Sequence, residues 1–327
     1  MKTFYFIFSV VAILGWSACS KKNDDAGNPN GKNNGFPLGY SAGTLFIKQS
    51  TEGITRFDLS KGSVSNVLPH WPDAGWDISW DGSKGVKQVN SSSFDTRYVI
   101  FDTKNGSTIR EIHYTPNDNH GGLPYFSPDG NRLALRPTFE DGLVILDMNG
   151  NVIRNISGYG TTHTFKFLDN ICWEASGTIL FKKDGGLWRT SADFNRATKV
   201  RDIPFDDWKG LVAASADGKK IALSAGNHIW LMNADGTDFH AVTASDQKEL
   251  TPSFSPDSKY LAIAANSRAP MEGDAAGNAY HLCIIPADGQ VYKVWPGEDS
   301  RVIHPTVNGQ VDSRGLGKAI IGDFVWR

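Results

Sequence analysis

Residues 211–265, LVAASADGKKIALSAGNHIWLMNADGTDFHAVTASDQKELTPSFSPDSKYLAIAA, contain one strand–turn–strand unit that finishes and begins again. Ala213-Ala214-Ser215-Ala216-Asp217-Gly218 and Ser253-Phe254-Ser255-Pro256-Asp257-Ser258 are two copies of one turn, 40 residues apart. A period of that size marks a repeat architecture. Further copies are Tyr125-Phe126-Ser127-Pro128-Asp129-Gly130, Ile78-Ser79-Trp80-Asp81-Gly82 and Trp173-Glu174-Ala175-Ser176-Gly177. Aligned on their last residues, Gly82, Gly130, Gly177, Gly218 and Ser258, the five copies are spaced by 48, 47, 41 and 40 residues.

A sixth copy is split between the ends of the chain. Ala42-Gly43-Thr44-Leu45-Phe46-Ile47-Lys48 matches Ser176 to Lys182, but the strand that should precede it is missing. Asp323-Phe324-Val325-Trp326-Arg327 ends on the aromatic that elsewhere comes just before the turn. The last strand therefore completes the first repeat and closes a ring. A second turn recurs at Ser60-Lys61-Gly62, Lys104-Asn105-Gly106, Met148-Asn149-Gly150, Ala192-Asp193-Phe194, Ala234-Asp235-Gly236 and Ala287-Asp288-Gly289, which again makes six. Short apolar strands between such turns predict all-β blades of four antiparallel strands, a to d. In Ser127-Pro128-Asp129-Gly130, Pro presets φ, Asp accepts local amides and Gly takes the left-handed conformation. The repeated Asp is thus a turn residue and not a catalytic one.

The sequence FSPDG before an apolar strand, followed by IWLMNADGT, resembles the Pro-Asp-Gly repeats of TolB-like six-bladed β-propellers, over 39–327. The resemblance implies a six-bladed ring of four-stranded blades, closed by a C-terminal strand in blade one.

Met1 to Cys19 has a basic start, an apolar run from Phe4 to Leu14 and small residues before Cys19, as a secretory signal does. The pattern resembles the lipobox of bacterial lipoproteins, which implies that residues 1–18 are removed and Cys19 is lipidated; an ordinary secretory signal is the alternative. Residues 19–38 read as the lipidated Cys and a flexible tether, since Ser20 to Gly35 holds no aliphatic residue larger than Ala. Ser20 after the Cys resembles lipoproteins sent to the outer membrane, facing the periplasm or the cell surface. The expected membrane contact is through the lipid alone. A net charge of −2 with 21% charged residues gives no basic field for nucleic acid. Cys172 and Cys283 fall in different repeats and read as buried thiols.

Strand alternation puts the a–b and c–d turns at one end of the ring and the b–c and d–a loops at the other. The second end carries the long insertions, Asn266 to Tyr280 and Pro296 to Gly322. It also collects Trp71, Asp73, Trp76, His120, His163 and Trp208 from d–a loops, Arg97, Arg136, Phe139 and Arg268 from b–c loops, and Arg301, His304 and Arg314 from the closing segment. Exposed Trp faces beside Arg and Asp suit sugar rings or peptide side chains; alternatively Trp76 and Trp208 pack between blades. The expected function is an envelope-anchored, monomeric binding or scaffold module for a glycan or an envelope protein.

The rival is a polysaccharide lyase or glycoside hydrolase at the same mouth, with His120 or His163 as base and Arg136 neutralising a uronate, or with carboxylates from Asp73, Asp206, Asp207 and Asp274. No GxSxG, HExxH or Walker pattern is present, so no catalytic residue is assigned. No cofactor is expected; His120, His163, His281 and His304 are the set from which a metal site at the central mouth would be drawn, without any ligand spacing to mark one.

Overall fold

The computed structural model describes residues 43–49, 53–69, 75–92, 95–117, 121–161, 163–167, 169–266, 280–308, 319–320 and 324–327. Within them the chain forms six four-stranded antiparallel sheets arranged as the blades of a propeller. Blade one pairs Phe324–Trp326 with Thr44–Gln49, then Gly53–Asp58 and Ser63–Leu68. The inner strands of the other blades are Trp76–Ile78, Pro124–Phe126, Ile171–Trp173, Val212–Ala214 and Glu249–Phe254. Closure is antiparallel, with Leu45 opposite Trp326, Phe46 opposite Val325 and Ile47 opposite Phe324. The signal segment, Cys19 and the tether lie outside the described residues.

Each blade has two apolar faces, because side chains alternate along a strand and neighbours cover both sides. Leu143 and Ile145 point into the cluster shared with blade four, while Val144 and Leu146 point into the one shared with blade two. Among the described residues the core accordingly forms six clusters, one at each junction between adjacent blades. The junction of blades six and one holds Leu45, Ile47, Tyr260 and Leu282 together with Phe324 and Trp326.

The repeated turn has one hydrogen-bond plan. In blade three the buried Ser127 donates its hydroxyl to Asp129 Oδ1 at 2.5 Å and accepts the Arg132 amide at 2.9 Å. Asp129 Oδ1 also accepts the Asn131 amide at 3.1 Å. The same bonds recur from Ser79 and Asp81, Ser215 and Asp217, and Ser255 and Asp257. Gly130 takes φ of 66° to end the turn, and Ser258 takes 61° at the equivalent place, where its hydroxyl accepts the Asp217 amide of blade five. Partial burial pushes Asp81, Asp129 and Asp217 up, but the bonds from the serine and the turn amides push them further down, so all three sit below their ordinary value. Their contribution to stability is complete above the ordinary carboxylate pKa and is lost on acidification.

Blade six departs from the repeat. After its Asp288-Gly289 turn the chain bridges Tyr292 to Thr243 of blade five, then Ile303 to Ile284, and its fourth strand is Ala319–Ile320. Ile303 and Ala319–Ile320 thus both pair along the blade's outer edge.

Trp326 is 1% exposed and stands in the closing cluster. Trp326→Ala should lower unfolding free energy by about 3–5 kcal/mol, and deletion of 324–327 should lower it further because the ladder bonds go too. Urea melts of the two variants check this; a truncated chain that melts like the parent rules out closure by this strand.

Candidate functional site

Two places gather chemistry: the loop end, where b–c and d–a connections meet, and a cavity on the propeller axis. Near the loop end, Arg136, which lies on the second strand of blade three (Arg132–Thr138) and not on its b–c loop, donates from Nε to the Asp169 carbonyl at 3.3 Å, so that strand is tied to the loop entering blade four. Across the same contact Phe139 and Phe167 stack with ring centroids 4.2 Å apart and planes inclined by 3°. Both rings remain at the surface, Phe139 at 67% and Phe167 at 36% exposure. His163 lies in the same connection, its Nδ1 accepting the Tyr159 amide at 3.3 Å and its ring 4.9 Å from Phe165 and 5.4 Å from Phe181. Burial lowers its pKa below the ordinary histidine value, with Lys183 adding to the effect.

The other sequence candidates are dispersed or enclosed. Trp208 is fully buried between blades four and five, with Lys182 5.5 Å from its ring and donating to its carbonyl; Nε1 finds no hydrogen-bond partner among the described residues. Trp76, 7% exposed, packs between blades one and two. Neither indole offers a face to a ligand, because each fills an apolar junction that the ring must close. Arg97 of blade two pairs with Glu111 at 3.3 Å. His304 sits against Cys283 of blade six, 3.6 Å from Nδ1 to Sγ, and burial with the neighbouring His281 pushes its pKa down to about 4. Arg301 is engaged by Asp299 at 2.7 Å. Asp207 accepts the Gly226 amide at 3.2 Å. Trp71, Asp73, His120, Arg268, Asp274 and Arg314 lie outside the described residues. Among the described residues no three His, Cys, Asp or Glu side chains are grouped to hold a metal ion.

The sequence reading passed over the axial cavity. It measures about 170 Å³ and is lined by the inner strands of all six blades. Its lining includes the residue five before the end of the aligned turn in every blade: Asp77, Tyr125, Cys172, Ala213, Ser253 and, from the closing strand, Val325. Inner-strand amides have no further strand to pair with, and Asp77 and Ser253 supply acceptors for two of them. Asp77 Oδ2 accepts the Phe126 amide of the next blade at 2.8 Å, and Ser253 Oγ accepts the Trp326 amide of the next blade at 3.0 Å. Cys172 Sγ donates to the Trp173 carbonyl at 3.3 Å, and burial pushes its thiol up to about 12, which leaves it protonated.

Asp77 is 3% exposed, and its Oδ1 lies 3.6 Å from Arg327 Nη2. Arg327 donates from Nε to the Ile78 carbonyl at 3.0 Å and rests 5.5 Å from the Trp80 ring centroid. Burial raises the Asp77 pKa to about 6, against the opposing pull of Arg327 and the Phe126 and Ile78 amides. The signal was present in the sequence as an acid in an aligned column otherwise filled by Tyr, Cys, Ala, Ser and Val.

No family model matches the chain, and no curated protein matches it by sequence. Among solved structures it is similar to TolB from Acinetobacter baumannii, with a TM-score of 0.56 and 17% identity over 87% of this chain and 66% of that one. It is likewise similar to a putative TolB from Agrobacterium tumefaciens, with a TM-score of 0.53 and 14% identity over 81% of this chain and 91% of that one. The chain thus has the fold of TolB propellers, spanning just under two thirds of the length of the Acinetobacter protein.

A carboxyl whose folded pKa exceeds its unfolded value binds protons more readily when folded, so it costs stability above about pH 6 and nothing once both states are protonated. Asp77→Asn should therefore raise the melting temperature at pH 7.5, with the gain fading as pH falls through about 6 toward the ordinary carboxylate value. Melts of both proteins from pH 4 to 8 check it; a difference that does not vary with pH would show that Asp77 is not the titrating group.

Proposed function

We propose that this protein is a binding module of the bacterial envelope, tethered through Cys19 to the outer membrane and engaging a partner with its loop end. The observation that carries the reading is the exposed Phe139–Phe167 stack, held in place by the Arg136 bond to the Asp169 carbonyl. Two parallel phenyl rings left at the surface are a hydrophobic anchor of the kind that dominates binding energy at interfaces. Phenyl rings carry no polar handle, which favours apolar side chains of a protein over the hydroxyl rim of a sugar. A glycan partner is the second form of the same reading.

The mature chain should capture a protein from an envelope extract, or a glycan from an array, saturably. The Phe139→Ala, Phe167→Ala double variant should lose at least ten-fold in affinity while melting within a few degrees of the parent. Calorimetry or biolayer interferometry on the captured partner reads the loss; retention of full affinity by the double variant overturns the loop end as the working surface.

A further inference from the structure

The axial ring holds one charge more than its structural task requires. Ser253 satisfies the amide of the next blade with a neutral hydroxyl, so one oxygen of Asp77 would serve that contact and an Asn or Ser would do as well. The contact with the next blade does not require its charge. Arg327 is similarly out of pattern, occupying the position held by Ser79, Ser127, Glu174, Ser215 and Ser255 in the other copies of the turn. Both deviations face the same cavity. The 3.6 Å between Asp77 Oδ1 and Arg327 Nη2 exceeds the roughly 2.7–2.9 Å of a closed charge-assisted hydrogen bond, so the pair is not shut upon itself.

We propose that the axial cavity binds a free α-amino acid with a small apolar side chain, its ammonium on Asp77 and its carboxylate on Arg327. Charge balance selects this class. An amine alone would leave two cations and one anion in a site walled by Tyr125, Ala213, Ala214 and Val325, and a carboxylate alone would set two anions against one cation; either leaves an uncompensated charge away from water. A zwitterion keeps the site neutral and gives each protein charge its opposite. The size agrees, since a cavity of about 150 Å³ takes a ligand as large as benzene and this one measures about 170 Å³. A route exists as well: Trp80, Pro256 and Arg327 line both the cavity and an open groove of about 820 Å³ at the turn end of blades one and two.

The test is isothermal titration of the mature chain at pH 7.5 with the twenty L-amino acids, followed for any binder by its decarboxylated amine and its deaminated acid. Saturable binding of an apolar amino acid, at least ten-fold weaker with either half-molecule, is the expected result. Asp77→Asn, which keeps an acceptor for the Phe126 amide, should fold and lose at least ten-fold in affinity. Absence of heat with every amino acid overturns the inference, as does an amine that binds as well as its amino acid, or an Asn variant that binds like the parent. The partner screen at the loop end is read separately, so a chain that captures its partner yet ignores amino acids overturns this inference alone.

Discussion

The pairing of three residues, Leu45 to Ile47, with Phe324 to Trp326 is the contact on which the rest of the molecule depends. A blade with two apolar faces cannot be an end, since either face left open would expose the side chains that alternate toward it. Every described junction between blades has its own cluster, and the one between blades six and one is built partly from the closing strand. Trp326 and Phe324 serve that cluster while Val325, facing the other way, packs against the one shared with blade two. The same strand presents its amide to Ser253 on the axis. Closure is therefore a core contact, a ladder and an axial bond at once.

Ring closure also determines what the axis can carry. Inner strands are edge strands, and an edge amide in a confined space needs an acceptor. Where a side chain supplies it, as Asp77 and Ser253 do, it comes from the preceding blade at one fixed position of the repeat. Six residues separated by tens of positions in sequence thereby become neighbours around one cavity, and its chemistry is written one residue per repeat.

This explains which features were legible in the sequence. The fold was legible because the turn is local: Ser127, Asp129 and Gly130 satisfy one another within four residues, and the pattern survives wherever those bonds are made. The split sixth copy was legible for the same reason, since Gly43 and Trp326 keep their repeat positions on either side of the break. Burial of the aromatics was not, because Trp76 and Trp208 occupy loop-end positions where an indole can face either a junction or solvent, and only the blade-to-blade distance decides. The Phe139–Phe167 stack joins two loops whose relative position no spacing encodes. Asp77 was readable only by aligning the column, as a three-residue strand has too little alternation to show which side chain faces the axis. The outer strand of blade six escaped because the chain leaves the repeat after Gly289, bridging to blade five at Tyr292 before Ile303 and then Ala319–Ile320 pair with the blade.

The position of the two axial charges bears on how the ring responds to occupancy. Asp77 belongs to blade two and Arg327 follows the closing strand of blade one, so the pair spans a junction rather than a single blade. Arg327 is also the residue whose backbone exchanges hydrogen bonds with Thr44 at the start of the ladder. A ligand held by both side chains would add its binding energy to the folded ring and not to the open chain, stabilising closure by mass action. The cost of burying an ionised Asp77, offset by the Phe126 and Ile78 amides and by a guanidinium 3.6 Å away, would fall further with an ammonium within hydrogen-bond reach. A buried acid whose cost a bound ammonium would lower suits a binding site better than a packing position.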